Sequence, residues 1–358
     1  MERYQPEFKS EFNDRHTLLT KKILRALSEN SRVPILELSK KLGVSRRTIK
    51  ERIKKVEQEL GIRYTIELNE SALGLNYPHI IMLKFTHKPD YKEVAQLMEK
   101  YYIPQTVFVT KGKFDMAIFA NSVTSQDYVH WDKTMQILLS KYGVLWQASD
   151  VAHRQLGFFP ARNALIDRLS IPSKYKEMLK LLNDNSRISF KQISQKLNMH
   201  FNTVAYNFKK LIKLGYIKRF TLVMRPQRNT SIISVFGKYT MSENFEADAA
   251  RFRKDILTND DPQPIISRLA FSSQLVGSYD YFLIGVFDSY EKACKHLVQY
   301  YRENFRRHKI KVLHGEIESL LIGDLPIRNI DVKKEYDVIK WIVEPSETDN
   351  LKEIFVSN

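Results

Sequence analysis

Residues 27–55 read LSENSRVPILELSKKLGVSRRTIKERIKK, and residues 182–210 read LNDNSRISFKQISQKLNMHFNTVAYNFKK. Laid over one another without a gap, Leu27, Asn30, Ser31, Arg32, Ser39, Lys41, Leu42, Thr48, Lys54 and Lys55 recur 155 residues later. Other positions keep their character: Val33 becomes Ile188, Leu38 becomes Ile193, Ile49 becomes Val204 and Ile53 becomes Phe208. A second similarity comes in the same order. VTKGKFDMAIF (109–119) answers to QLVGSYDYFLIGVF (274–287), with Gly112 on Gly277, Phe114 on Tyr279 and Asp115 on Asp280. The chain is a tandem duplication of a two-part unit, and a fold must be found for each part.

The first part has helical spacing. Leu18, Ile23, Leu24 and Leu27 make one apolar stripe, and Ile35, Leu38 and Leu42 make a second, shorter one. Pro34 suits a first helical turn, where its missing N–H is not needed. In the other copy Ser189 and Gln192 have the spacing of a capping box. Gly43, or Asn198 in the repeat, supplies a turn residue that tolerates positive φ. Ser45 is a good N-cap for a third helix whose Ile49, Ile53, Val56 and Leu60 form its buried side. A β-prone stretch comes next, IRYTIEL (62–68) or YIKRFTLVM (216–224). Three helices with a tight turn before the third, then a strand, predict a winged helix-turn-helix.

With the isoleucines inward, Arg46, Lys50 and Lys54 fall at i, i+4 and i+8 on the outer face, with Arg47 beside them and Ser45 at the tip. A solvated helix face gains from mixing signs at i,i+4; here only Glu51 stands against a row of cations. That row on the third helix suits phosphate and guanine contacts in a major groove. The repeat departs from it. Phe201, Asn202, Ala205 and Lys209 replace Arg46, Arg47, Lys50 and Lys54, so His200, Phe201, Asn202 and Tyr206 predict a more A·T-inclined reader. Cations gather instead towards the wing: Lys210, Lys213, Lys218, Arg219, Arg225 and Arg228. The two copies are expected to be unequal readers, the alternative being that the second is a packing module.

The second part alternates strands and helices as β-α-β-β-α-β in both copies, which predicts a ferredoxin-like layer of two helices on an antiparallel sheet. The sheet's other face needs a cover, and the sheet of the other half is the natural one. The fold class is therefore α+β, two winged helix-turn-helix domains alternating with two ferredoxin-like domains about a pseudo-twofold. Expected boundaries are 1–75, 76–158, 159–229 and 230–326, with a tail at 327–358 whose Ile339, Trp341 and Ile342 suggest a docking helix.

Composition agrees. The 358 residues carry a formal charge of +16 with 43% apolar and 11% aromatic residues, a globular chain that attracts polyanions. Cys294 is the only cysteine, so no internal disulfide or cysteine metal cage is expected, as in a reducing compartment. No apolar run approaches the roughly 20 residues of a membrane span and the start is too charged for a signal peptide. A cytoplasmic protein is expected, with no membrane partner and no cofactor.

This pattern resembles the Lrp/AsnC (feast/famine) transcription regulators of bacteria and archaea. The carriers are LSKKLGVSRRTIKERIKKV (38–56) and the hairpin signatures GKFD (112–115) and GSYD (277–280). The resemblance implies operator binding to double-stranded DNA by the winged helices, pairing through the ferredoxin-like sheets, and an amino acid effector near the hairpins, at Gly112, Asp115, Gly277 and Asp280. A Gly followed by Asp at a hairpin also has a plain reading, turn chemistry in which the carboxylate accepts backbone N–H bonds. Family members usually carry one unit per chain, so the pair is expected within one polypeptide, with room for further self-association.

No catalytic signature is present: no GxSxG, GxGxxG, Walker loop, HExxH or CxxC. His130 with Asp127 and His153 with Asp150, at i,i+3, read as surface hydrogen bonds rather than metal ligands. Siroheme decarboxylases resemble the same two-part unit, and their hairpin strands carry His and Arg for substrate carboxylates. Here those strands, TVFVT and SRLAFSSQLV, lack His. The expectation is a regulator and not an enzyme. The alternatives are a siroheme-decarboxylase-like enzyme and a low-specificity, chromatin-type DNA-binding protein.

Overall fold

The computed structural model describes residues 15–224, 231–239, 269–287, 291 and 310–326. They divide into two compact units. Residues 15–148, 158–224 and 318–326 make the first, and residues 149–157, 231–239, 269–287, 291 and 310–317 the second.

Both helix-turn-helix motifs lie in the first unit. The first is α1 (Arg15–Glu29), α2 (Ile35–Leu42) and α3 (Arg46–Leu60), and the second, after a short α6 (Asn163–Arg168), is α7 (Ser173–Asp184), α8 (Phe190–Leu197) and α9 (Phe201–Lys213). The turn before each third helix is left-handed, at Gly43 (φ 66°) and Asn198 (φ 50°). Asn198 alone among the described non-glycine residues takes positive φ, a conformation its short polar side chain tolerates. Ser45 caps α3 by accepting the Thr48 N–H at 3.1 Å, and the Ser189–Gln192 capping box forms in full. Pro34 sits one place earlier than expected: it is the extended cap residue of α2, and its carbonyl accepts the Leu38 N–H. Ile49, Ile53 and Val56 are buried, with Ile23, Leu27 and Leu38 around the first two.

The strand after each third helix completes its wing with the strand of the other copy. Strand β1 (Ile62–Leu68) pairs antiparallel with β6 (Ile217–Met224), its counterpart from the other copy. Thr65 faces Thr221 in the register. The exchange reaches the cores: Leu222 of β6 packs among Ile23, Leu27, Leu38, Ile49 and Ile53 of the first motif. Ile66 and Leu68 of β1 pack with Met178, Leu182, Ile193 and Val204 of the second. A single strand after three helices leaves one row of N–H and C=O groups unpaired; the second copy satisfies it.

Contacts across this junction obey the pseudo-twofold. The Ser31 and Ser186 hydroxyls meet at 2.6 Å, 155 residues apart. The Thr65 hydroxyl donates to the Asn183 carbonyl (2.7 Å) and the Thr221 hydroxyl to the Ser28 carbonyl (2.8 Å). The repeated Asn-Ser-Arg explains itself. Asn30 and Asn185 each accept the N–H two residues on, of Arg32 and Arg187, the serines meet on the axis, and the arginines reach across. Arg32 donates to the Ser186 and Ile188 carbonyls and lies within 5.2–5.7 Å of the Phe190, Phe208 and Phe220 rings. Arg187 lies over Tyr64 at 4.8 Å. Burial lowers the Arg32 pKa from its ordinary value, with Arg187 adding to the effect; an always-charged guanidinium on aromatic faces is the residue suited to this place.

The symmetry breaks at Glu67. A bulge opposite Glu67 and Leu68 leaves Lys218 unpaired in the register, and both Lys218 and Arg219 ion-pair with the Glu67 carboxylate, which is 3% exposed. On the far side of β6 the short strand β11 (Leu325–Pro326) adds a third member, and Asp324 just before it takes a two-nitrogen contact from Arg63 at 2.6 and 2.9 Å.

The first unit also holds a ferredoxin-like module: β2 (Tyr77–Phe85), α4 (Tyr91–Glu99), β3 (Pro104–Gly112), β4 (Met116–Ser122), α5 (Ser125–Leu139) and the start of β5 (Val144–Leu156). Its strands run β5-β2-β4-β3, and the end of β10 (Ile310–Ile322) borders β3. Trp131, Met135 and Leu139 of α5 and Val94 and Met98 of α4 pack on Ile81, Leu83, Val107 and Ile118. The second unit repeats the order with β7 (Ser231–Tyr239), β8 (Leu269–Gly277) and β9 (Tyr281–Phe287), as β10-β7-β9-β8, and residues 149–156 of β5 pair along β8. The two helices expected there, 247–257 and 291–305, lie outside the described residues apart from residue 291, as does the tail at 327–358.

Candidate nucleic-acid interface

On α3 the expected residues share one face. Ser45, Arg46, Arg47, Lys50 and Lys54 are all exposed. The Arg47 guanidinium donates to Glu51 at 2.8 Å, one turn on, with the side chains 88% and 64% exposed. So exposed a pair is worth little, and an arriving phosphate can displace the carboxylate. Arg46, Lys50 and Lys54 make no ion pair among the described residues. Three like charges spaced by one turn are held out by a helix whose Ile49 and Ile53 are buried on its other side.

On α9 the face differs as the sequence predicts. His200 caps the helix, its Nδ1 accepting the Asn202 N–H at 3.3 Å. Asn202, Lys209, Lys210 and Lys213 are exposed. Phe201 is 49% and Tyr206 62% exposed, large apolar surfaces on a helix that could bury them. Phe201 meets Phe190 edge-on at 6.1 Å, so its ring is held against the aromatic group that receives Arg32. Arg219 does not join this face: its side chain is 23% exposed and committed to Glu67. Arg225 and Arg228 lie outside the described residues.

The hairpin residues named as effector ligands do structural work. Gly112 (φ 151°) and Gly277 (φ 131°) hold backbone conformations that favour glycine. Asp115 accepts from Lys84 Nζ at 2.6 Å and from the Phe85 N–H at 2.8 Å, and its own N–H donates to Leu83. The other copy repeats the tie: Asp280 faces Lys238 Nζ at 3.3 Å and donates its N–H to Gly237. Lys84, Lys238, Glu67, Ser31 and Ser186 are the residues that motif reading missed. For the serines, the repeated Asn-Ser-Arg was the available signal; for the lysines nothing local marked them. No group of three potential metal ligands occurs among the described residues. The Asp127 carboxylate receives the Tyr102 hydroxyl at 2.7 Å.

Residues 19–57 match the AsnC-type helix-turn-helix domain and residues 176–218 match a winged helix-turn-helix DNA-binding domain. The HTH-type transcriptional regulator FL11 of Pyrococcus furiosus is 34% identical over 111 residues, which is 30% of this chain and 72% of that protein. The chain belongs to the Lrp/AsnC family of transcription regulators. A second relative, the uncharacterized HTH-type transcriptional regulator PF1734 of the same organism, is 31% identical over 119 residues, 33% of this chain and 79% of its own. Each of these two Lrp/AsnC relatives matches about a third of this chain. Across both copies the fold is similar to that of the siroheme decarboxylase NirDL (TM-score 0.53, 12% identity, 91% of this chain and 100% of that one); at that identity the likeness is one of fold. Among the described residues no helix is long and apolar enough to cross a membrane.

Proposed function

We propose that this Lrp/AsnC-type regulator binds double-stranded DNA sequence-specifically, with its modules bounded near residues 75, 158, 229 and 326. The first reader is α3, where Arg46, Arg47, Lys50 and Lys54 take phosphates and guanine edges; the second is α9, working through His200, Phe201, Asn202, Tyr206 and Lys209, with Lys210 and Lys213 on the flanking backbone. The observation that carries this reading is the row of exposed, unpaired cations on a capped third helix, in a family of DNA-binding regulators. The proposal gives Gly112, Asp115, Gly277 and Asp280 no effector role, because Lys84 and the Phe85 N–H already meet the Asp115 carboxylate and Lys238 meets that of Asp280. Arg219 is likewise assigned to the junction.

Genome-wide immunoprecipitation with sequencing tests the proposal. Sharp peaks sharing a motif are expected. Broad, motif-free coverage would favour a chromatin-type role, and purified protein that ignores duplex DNA in dilute buffer would overturn it, leaving a tetrapyrrole enzyme as the reading to examine.

A further inference from the structure

Chemically unlike reader faces are locked about one axis. Where α3 offers Arg46, Lys50 and Lys54, the equivalent row of α9 is Phe201, Ala205 and Lys209; where α3 pairs Arg47 with Glu51, α9 carries Asn202 and an exposed Tyr206. The β1–β6 ladder, the Ser31–Ser186 contact and Arg32 among three aromatic rings fix the two motifs to each other. One chain therefore cannot present the same helix twice.

We infer that the protein binds an asymmetric DNA site in a single polarity, α3 on a guanine-containing half and α9 on an A·T half. This rests on the duplex-DNA reading above. Guanidinium and ammonium groups suit the O6 and N7 acceptors of guanine, whereas an amide suits adenine and aromatic carbon suits the thymine methyl. Replacing either half by a copy of the other removes the matched contacts, at a cost of at least about tenfold in affinity. A regulator of this kind points along the chromosome, so each unit faces a defined side of the site.

The test uses the full chain with Cys294→Ser and one new cysteine, Lys40→Cys on α2 or Gln195→Cys on α8. These positions are equivalent in the two copies and exposed. Each carries an iron chelate that nicks nearby DNA, and the target is a duplex selected by the protein from a random pool. Cleavage from Lys40→Cys in one half and from Gln195→Cys in the other, both exchanging sides when the site is inverted within its fragment, is the expected result. Equal cleavage of both halves from each position overturns the inference while leaving sequence-specific binding intact, as does selection of a symmetric palindrome. Failure to enrich any duplex overturns the underlying reading and the inference together.

Discussion

Glu67 is a carboxylate with almost no water around it. Burial is the largest influence and works to raise its pKa, but Arg219 and Lys218 outweigh it and hold the group below the usual carboxylate range. A depressed pKa means the contribution is present above the unfolded value and is lost as pH falls through the folded one. Wild-type stability is therefore expected to drop more steeply below about pH 4.5 than that of Glu67→Gln, and urea titrations across pH measure the difference. At neutral pH Glu67→Gln should cost about 2 kcal/mol, the scale of hydrogen bonds to a charged group. On α3, Lys50→Ala should reduce the slope of log affinity against log salt by about 0.9 if it removes one phosphate contact. Arg47→Ala should do the same, and an unchanged slope for either would remove that residue from the interface. Asp115→Asn should lower the melting temperature without any dependence on added amino acids, since what it breaks is the Lys84 and Phe85 tie.

At the scale of elements, the exchanged strands make a sharp prediction. Leu222 belongs by sequence to the second copy and by packing to the first. Leu222→Ala should cost about 2–4 kcal/mol, as for other fully buried leucines, and hydrogen exchange should rise first in α1–α3, more than 150 residues away in sequence. Local loosening of α7–α9 instead would contradict the observed packing. Sequence patterns located the helices, caps and left-handed turns at Gly43 and Asn198, because those depend on neighbours within one turn. They could not choose the partner of β1. Ile62, Tyr64, Ile66 and Leu68 alternate whether the strand lies on its own motif or on the other, and only the tertiary competition for an unpaired edge decides it.

Across the whole molecule, the duplication, the α+β class and the α3 face were legible in the residues, since each rests on a pattern that repeats or on exposed charge. The fates of Arg219, Asp115 and Asp280 were not. A cation near a strand and an acid after a hairpin glycine look alike whether they meet a ligand or a neighbouring side chain such as Glu67 or Lys84. The Arg63–Asp324 contact belongs to the same class, joining groups 261 residues apart. It has a consequence for synthesis. The three-stranded sheet that joins the two helix-turn-helix motifs takes its outer member from residues 325 and 326, so a ribosome must translate nearly the entire repeat pair before that sheet closes. Until then the nascent chain carries both third helices on an unfinished scaffold, and the far edge of β6 around Val223 and Met224 should stay open to protease in stalled chains that lack β11.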